Sequence, residues 1–541
     1  MKKYRKIILS LVLLLSVLIV YAVKQQSSRK SAVSVMSQVN ASLQEDIPEG
    51  VYPSVYEVFV SSFYDADGDG TGDLNGVTQK LDYIHDLGFR GIWLMPVAPS
   101  PTYHKYDVAD YTDIDPAYGT REDFRTLAAA CHERRMQVIL DLVLNHTSVQ
   151  HPWFQTAAAY LRDLPEGTEP DLQACPYVDY YRFTRQAQGG YAQLADSGWY
   201  YEARFWEGMP DLNLDHEAVR GEIREIMRYW LNEGADGFRL DAVTSYYTGN
   251  ADRNIEFLSF VNQTAKELDP DCYIVCEGWD SQKVYARYYA SGVDSMFDFA
   301  FADASGIIAG TLLRQYTARD FGNMLEKEWQ LYESYGPQAV NAPFYTNHDM
   351  GRSAGYYATD EGDRTKLAQA MNLLTGGKVF LYYGEEIGMK GAGRDENKRA
   401  PMYWSDDPQA AGMTQAPPGM DNVQMKFPSL AEQEKDPYSI LNYVREIMRI
   451  RNALPVITSG RTWVHQDLTT DDVCVLIRED GVHEPALVVY NISPETQTIH
   501  TDSTEFHHLK GVLTVSAEPV AFENDTLTLP PWGTAVLTGE E

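Results

Sequence analysis

Between residues 55 and 384, eight short apolar runs recur, each followed by a stretch with helix-like residues. They read VYEVFV (55–60), GIWLMPV (91–97), VILDLVLNH (138–146), DGFRLDAV (236–243), YIVCEGW (273–279), SMFDFAF (295–301), APFYTNHD (342–349) and KVFLYYG (378–384). Continuous Val, Ile and Leu without strict polar alternation suits strands buried on both faces, as in a parallel sheet covered by helices. Eight such strands are the number that closes into a barrel. A barrel of this kind takes roughly 250 residues, so a chain of 541 must carry more than the barrel.

The remainder is visible as breaks in the rhythm. The stretch 147–216, between the third and fourth runs, is too long for an ordinary loop and reads as an inserted domain. A second interruption, 385–436, follows the eighth run. Beyond residue 454 the runs become short and alternating (CVLIRE, ALVVYNI, TLTLPPWGTAVLTG), the pattern of a separate all-β domain. The expected fold is therefore α/β. A (β/α)8 TIM barrel occupies 50–146 and 217–454, with an inserted domain B after strand 3 (147–216) and a C-terminal β-sandwich (455–541).

In such barrels the chemistry sits at the C-terminal ends of the strands. Asp141, Asn145 and His146 end the third run, Arg239 and Asp241 the fourth, Glu277 the fifth, and His348 with Asp349 the seventh. One strand-end carboxylate could be packing; three on different strands, with two histidines and an arginine, point to a reaction centre. Paired carboxylates with a third acid suit glycoside hydrolysis, where one attacks carbon and another shuttles a proton. Arg239 and Asp241 lie two residues apart and project from one strand face, so the guanidinium favours the ionised carboxylate. Glu277 stands between YIVC and Trp279, where desolvation should raise its pKa, as an acid donor requires.

DLVLNHTS, GFRLDAVT, EGWD and FYTNHDMGR resemble the four signature segments of the α-amylase family of glycoside hydrolases, and GFRGIWLMPV, MPDLNLD and GGKVFLYYGEEIGM resemble its auxiliary segments. The resemblance implies Asp241 as nucleophile, Glu277 as general acid/base and Asp349 as the third carboxylate, which stabilises the transition state. It places His104, Tyr106, His146, Arg239, His348 and Arg352 around the substrate, with Tyr106 stacking on the sugar and Arg239 orienting Asp241. Lys105 departs from the family's usual glycine. The implied reaction is a retaining double displacement. EGWD, and Tyr103 where exo-acting α-glucosidases carry an Asp, favour endo attack on α-1,4-glucan such as starch. An α-glucosidase, oligo-1,6-glucosidase, neopullulanase or transglycosylase is the alternative, and a catalytically inactive amylase-like membrane subunit a more distant one. In domain B, Trp153, Trp199, Tyr200 and Trp206 are candidates to line a glucan path.

DADGDGTGD (65–73) packs four aspartates into a Gly-rich turn. Asp65, Asp67, Asp69, Thr71 and Asp73 follow the first nine positions of a calcium loop, although its twelfth position is Gly76. The expected ligand is Ca2+, with Mg2+ as the alternative, held as a structural clamp; the family resemblance agrees.

A formal charge of −32 argues against nucleic acid as a partner and against acidic substrates. MKKYRK followed by IILSLVLLLSVLIVYAV reads as a signal or membrane anchor, and 27–49 as a polar tether. The expected enzyme is a monomer outside the cell, secreted or tethered to the outer face of the membrane. Five cysteines are few and odd in number, and read as free buried thiols.

Overall fold

In a computed structural model of the chain, residues 34–43, 47–48, 51–336, 338–357 and 359–539 are described. The apolar N-terminal segment read as a signal or anchor lies outside them. Among the described residues no helix is long and apolar enough to cross a membrane.

Seven strands form one wholly parallel sheet. In spatial order they are Phe380–Tyr382, Val55–Val58, Gly91–Leu94, Gln137–Leu142, Gly237–Leu240, Tyr273–Cys276 and Ser295–Met296. The seventh run, APFYTNHD, is extended but too irregular for a regular strand. It still fills its place: Phe297 bridges Ala342 in parallel, and the Lys378 and Phe380 amides donate to Asn341 O (2.8 Å) and Pro343 O (2.8 Å). These bonds close the sheet into a (β/α)8 barrel.

Strand parity then decides what fills the barrel. Val55, Trp93, Ile139, Tyr273, Val275, Phe297 and Phe380 point inward and form one core. Tyr56, Ile92, Val138, Leu140, Phe238 and Ile274 point outward into the helical layer. The inward parity also carries Glu57, Asp141, Arg239, Asp241 and Glu277, so the same alternation that packs the barrel stacks these groups at its upper end. The outer helices stop where their chemistry says. Thr120 and Asp123 make a reciprocal capping box ahead of Arg121–Glu133, and Gly234, in the left-handed region at φ 109°, ends Glu217–Glu233.

Between the third and fourth barrel strands stand the helix Pro152–Asp163 and a small antiparallel sheet of Phe183–Thr184, Tyr191–Gln193 and Tyr200–Glu202. The C-terminal region carries a five-stranded and a three-stranded antiparallel sheet. Its strand Ala486–Asn491 explains why ALVVYNI is apolar throughout. Leu487 and Val489 join the core between the two sheets, while Ala486, Val488 and Tyr490 join the barrel's core. The C-terminal sheet is thus welded to the barrel by one face.

The stretch expected as a free tether holds a short helix, Val35–Asn40, capped by Ser34 and docked on the C-terminal sheet. Met36 and Asn40 are fully buried; Asn40 exchanges hydrogen bonds with Val512 (2.9 and 3.0 Å) and donates to Glu446 (2.9 Å). All five cysteines are free and buried, as expected.

Candidate active site

At the upper end of the barrel one guanidinium gathers three carboxylates. Arg239, wholly buried, sends Nη1 to Asp141 Oδ1 (2.8 Å) and Asp241 Oδ1 (2.7 Å), and Nη2 to Glu277 Oε2 (3.0 Å). Strand register explains the convergence, because Asp141 pairs with Arg239 and Arg239 with Val275, two residues before Glu277. Just after Asp241 the chain turns sharply. Ala242 sits in the left-handed region at φ 45°, a conformation that costs an L-residue about 1–2 kcal/mol. The turn delivers the Ala242 amide to Glu277 Oε2 (2.9 Å), tying the fourth and fifth strand ends together.

Three buried carboxyls around one cation cannot all ionise freely. Burial pushes Glu277 up to about 7 against the pull of Arg239, and Asp241 nearby pushes the same way. Burial likewise raises Asp141 to about 6, with Arg239 opposing. The sequence-based expectation of a desolvated Glu277 is met.

Asp349 has the opposite setting. Burial resists its ionisation, but His348 Nε2 (3.0 Å) and Arg399 Nη2 (3.3 Å) hold its carboxyl well below the usual range. His348 is itself raised to about 9: burial disfavours its charge, yet Asp349 and Glu57 (2.6 Å from Nδ1) outweigh it. The ring is therefore a cation at neutral pH, and stacks on Tyr106 at 5.5 Å.

A cleft of about 360 Å³ exposes this cluster, lined by Tyr106, His146, Phe205, Met209, Asp241, Glu277, Trp279 and Asp349. Of the substrate residues expected from sequence, Tyr106 and His146 reach the cleft wall directly. His146 holds Tyr106 in place through Nε2 to its carbonyl (3.2 Å). His104 supports the same loop, accepting the Tyr106 amide on Nδ1 (3.2 Å). Arg239 and His348 stand behind the wall; both His348 ring nitrogens and both terminal Arg239 nitrogens are engaged, while Arg239 Nε has no partner among the described residues. Arg352 is a correction: it is buried, its guanidinium donating to Tyr383 O (2.6 Å) and Lys398 O (3.2 Å), so it braces the backbone instead of facing a sugar. Lys105 adopts φ 64°, the backbone a glycine would take without strain, and its ammonium forms a buried ion pair with Asp115 (2.6 Å).

The domain B aromatics divide. Trp206 is 47% exposed, but Trp199 is buried beneath Arg185, and Trp153 packs against Tyr111, His151 and Tyr180. The exposed rings at the cleft are Phe205, beside His146, and Trp279, stacked on Phe299. Neither was singled out for the cleft from sequence, nor were Glu57, Arg399 and Met209 given any part. Glu57 had a signal, as the lone charge inside VYEVFV. Arg399 had none, lying 50 residues beyond Asp349 in the second interruption.

In the DADGDGTGD loop, carboxylate oxygens of Asp65, Asp67 and Asp73 lie within 4.8 Å of one another. Asp65 accepts the Gly68 and Gly70 amides (2.6 and 2.8 Å), and Asp73 caps the following helix through Gly76 N (2.7 Å). Gly76 is required here: a Cβ would lie 1.9 Å from Tyr64 O. Asp69, expected as a ligand, stands outside the trio, its Oδ1 accepting the Thr71 amide (2.6 Å). Thr71 thus contributes an amide to the turn. The trio is a set of hard oxygen donors on a tight turn, which fits a hard divalent cation.

Comparison with known proteins agrees with this geometry. The family model for the alpha amylase catalytic domain matches residues 57–460. Alpha-amylase 3 of Dictyoglomus thermophilum is 37% identical over 443 residues, covering 81% of this chain and 84% of that protein. An oligo-1,6-glucosidase of Heyndrickxia coagulans is 30% identical, covering 82% and 92%. The solved structure of Eubacterium rectale Amy13B superposes with a TM-score of 0.92 at 46% identity, covering 94% of this chain and 99% of that one.

Proposed function

Since the chain belongs to the α-amylase family of glycoside hydrolases, we propose that it is an endo-acting α-amylase that opens α-1,4 bonds of starch or maltodextrins with retention, outside the cell. One observation carries the reading: Asp241, Glu277 and Asp349, from three strand ends, line a single open cleft around Arg239. Asp241 attacks the anomeric carbon while Glu277, protonated near neutral pH, donates to the leaving oxygen. Glu277 then takes a proton from the water that releases the glucosyl–enzyme. Asp241 and Glu277 sit on neighbouring nitrogens of one guanidinium, which favours the separation of a retaining pair, about 5–5.5 Å, over the wider gap of an inverting one. Asp349, held ionised by His348 and Arg399, faces the positive charge that develops on the sugar ring.

Endo attack is favoured by the open aromatic rings Phe205 and Trp279, which offer stacking faces to sugars on either side of the cut. Tyr103 occupies the exo-acting enzymes' Asp position, and its hydroxyl is tied to Asp395 Oδ2 (2.6 Å). A timed product profile on soluble starch tests this, with pullulan and isomaltose as parallel substrates. Mixed maltooligosaccharides should precede glucose. Glucose alone from the start, isomaltose as the better substrate, or a β-anomer as first product would overturn the reading.

The Asp65, Asp67 and Asp73 trio would hold calcium as a structural clamp, supplying charge neutralisation and no reacting group. Calcium should raise Tm in a concentration-dependent way in chelator-treated protein, with Asp67→Asn blunting the response. A Tm indifferent to both would remove the clamp.

A further inference from the structure

The catalytic cleft is not the larger concavity. A cavity of about 510 Å³ opens where the helix Pro152–Asp163 begins against the helix Glu217–Glu233, and none of the three acids lines it. Its volume lies in the range of small-molecule sites. Its floor is fixed: Tyr111 donates to Val143 O (2.8 Å) and His146 O (2.9 Å), and its own carbonyl accepts the Trp230 indole N–H (2.7 Å).

The walls have a particular chemistry. Trp153 and Tyr229 are half-buried rings on opposite helices, so each keeps apolar surface open to the groove. His151 is 5% exposed and accepts the Trp153 amide on Nδ1 (3.2 Å), which places the ring proton on Nε2. That Nε2 has no hydrogen-bond partner among the described residues, and burial lowers the ring's pKa to about 4, so it presents a neutral N–H donor. Glu222 and the exposed Asn232 add a carboxylate and an amide at the rim. Asp110 and the ion-paired Glu225 and Arg228 complete the charged lining. Flat apolar faces flanked by such donors and carboxylate acceptors match a sugar, whose C–H faces stack and whose hydroxyls both give and take hydrogen bonds. The chain's negative charge disfavours an anion here.

We propose that this groove is a second carbohydrate-binding site, which holds α-glucan away from the catalytic acids. The ligand class rests on the α-glucan reading of the cleft. Calorimetry with maltoheptaose tests it on the full chain carrying Glu277→Gln, which prevents turnover. Two sites per chain are expected. Tyr229→Ala should weaken one of them about tenfold, the size of effect a lost stacking ring gives, whereas Tyr229→Phe keeps the ring and the affinity. In otherwise wild-type enzyme, Tyr229→Ala should slow release of sugar from starch granules and leave maltotriose turnover unchanged. A single site per chain, or an isotherm that ignores both Tyr229→Ala and His151→Asn, would overturn the groove. The two readings fail separately. Absence of sugar release from every glucan condemns the cleft assignment, while the groove is judged by its own isotherm.

Discussion

Among the buried acids of the described residues, the pair Asp241 and Glu277 is built for chemistry and the pair Asp298 and Glu328 is not. Asp241 and Glu277 share the Arg239 guanidinium and border an open cleft. Asp298 and Glu328 are as deeply buried, yet among the described residues no cation pairs with either. Neutral groups satisfy them instead: Tyr285 donates to Asp298 (2.9 Å), Tyr332 and Gln282 to Glu328 (2.8 Å each), and Asn341 to both. Burial raises both acids; Asp298 pushes Glu328 up further, while its hydrogen bond with Glu328 pulls Asp298 the other way, so the proton rests on Glu328. Burial alone therefore stores a proton. A fixed cation and access to a ligand turn the stored proton into one that can be delivered.

The sharpest way to break this comparison is to remove one acid from each pair. Asp241→Asn should cut sugar release by roughly 10⁴-fold or more, since no other group is placed to attack carbon. Glu328→Gln, measured in the same assay, should leave turnover near that of the parent. Equal losses would mean that the two pairs do the same work.

A second test uses pH. Glu277 must be protonated to donate, and its pKa lies at about 7, so kcat/KM should fall as pH rises through that value. A profile flat from pH 6 to pH 9 would contradict the role.

The smallest effect concerns stability. Asp298 and Glu328 have folded pKa values above their unfolded ones, so their contribution is intact below the ordinary carboxylate range, about 4–4.5. It declines as pH rises from there through the raised folded values, because the unfolded chain gives up protons that the folded one retains. The slope is at most about 1.4 kcal/mol per pH unit for each proton. Glu328→Gln should flatten that decline in denaturant melts taken across pH 5–9, and an unchanged slope would show that the sealed pair is not its source.

Much of this was legible before any coordinates. The apolar runs marked all eight positions in the barrel, and strand-end acids marked the cleft. The runs overshot their strands in a regular way: YIVCEGW contains the strand Tyr273–Cys276, and VILDLVLNH outlasts Gln137–Leu142. Apolar packing continues after the ladder stops, so composition cannot report where the chain leaves the sheet. Register was equally hidden. That Asp141 faces Arg239 follows from strand pairing, which no local pattern encodes. Arg352 was misread because FYTNHDMGR says that an arginine is near the cleft without saying which way it points. Phe205 and Trp279 were missed because an exposed ring and a core ring look alike in one sequence.

The helix Val35–Asn40 has a mechanical consequence. Tension applied to the polypeptide ahead of Ser34 would meet Asn40, clamped to Val512 and Glu446, before it reached the first barrel strand at Val55. The load would pass into the C-terminal sheet and the final barrel helix, Ile440–Ala453, which carries Glu446. The strand ends that aim the acids would be spared the strain.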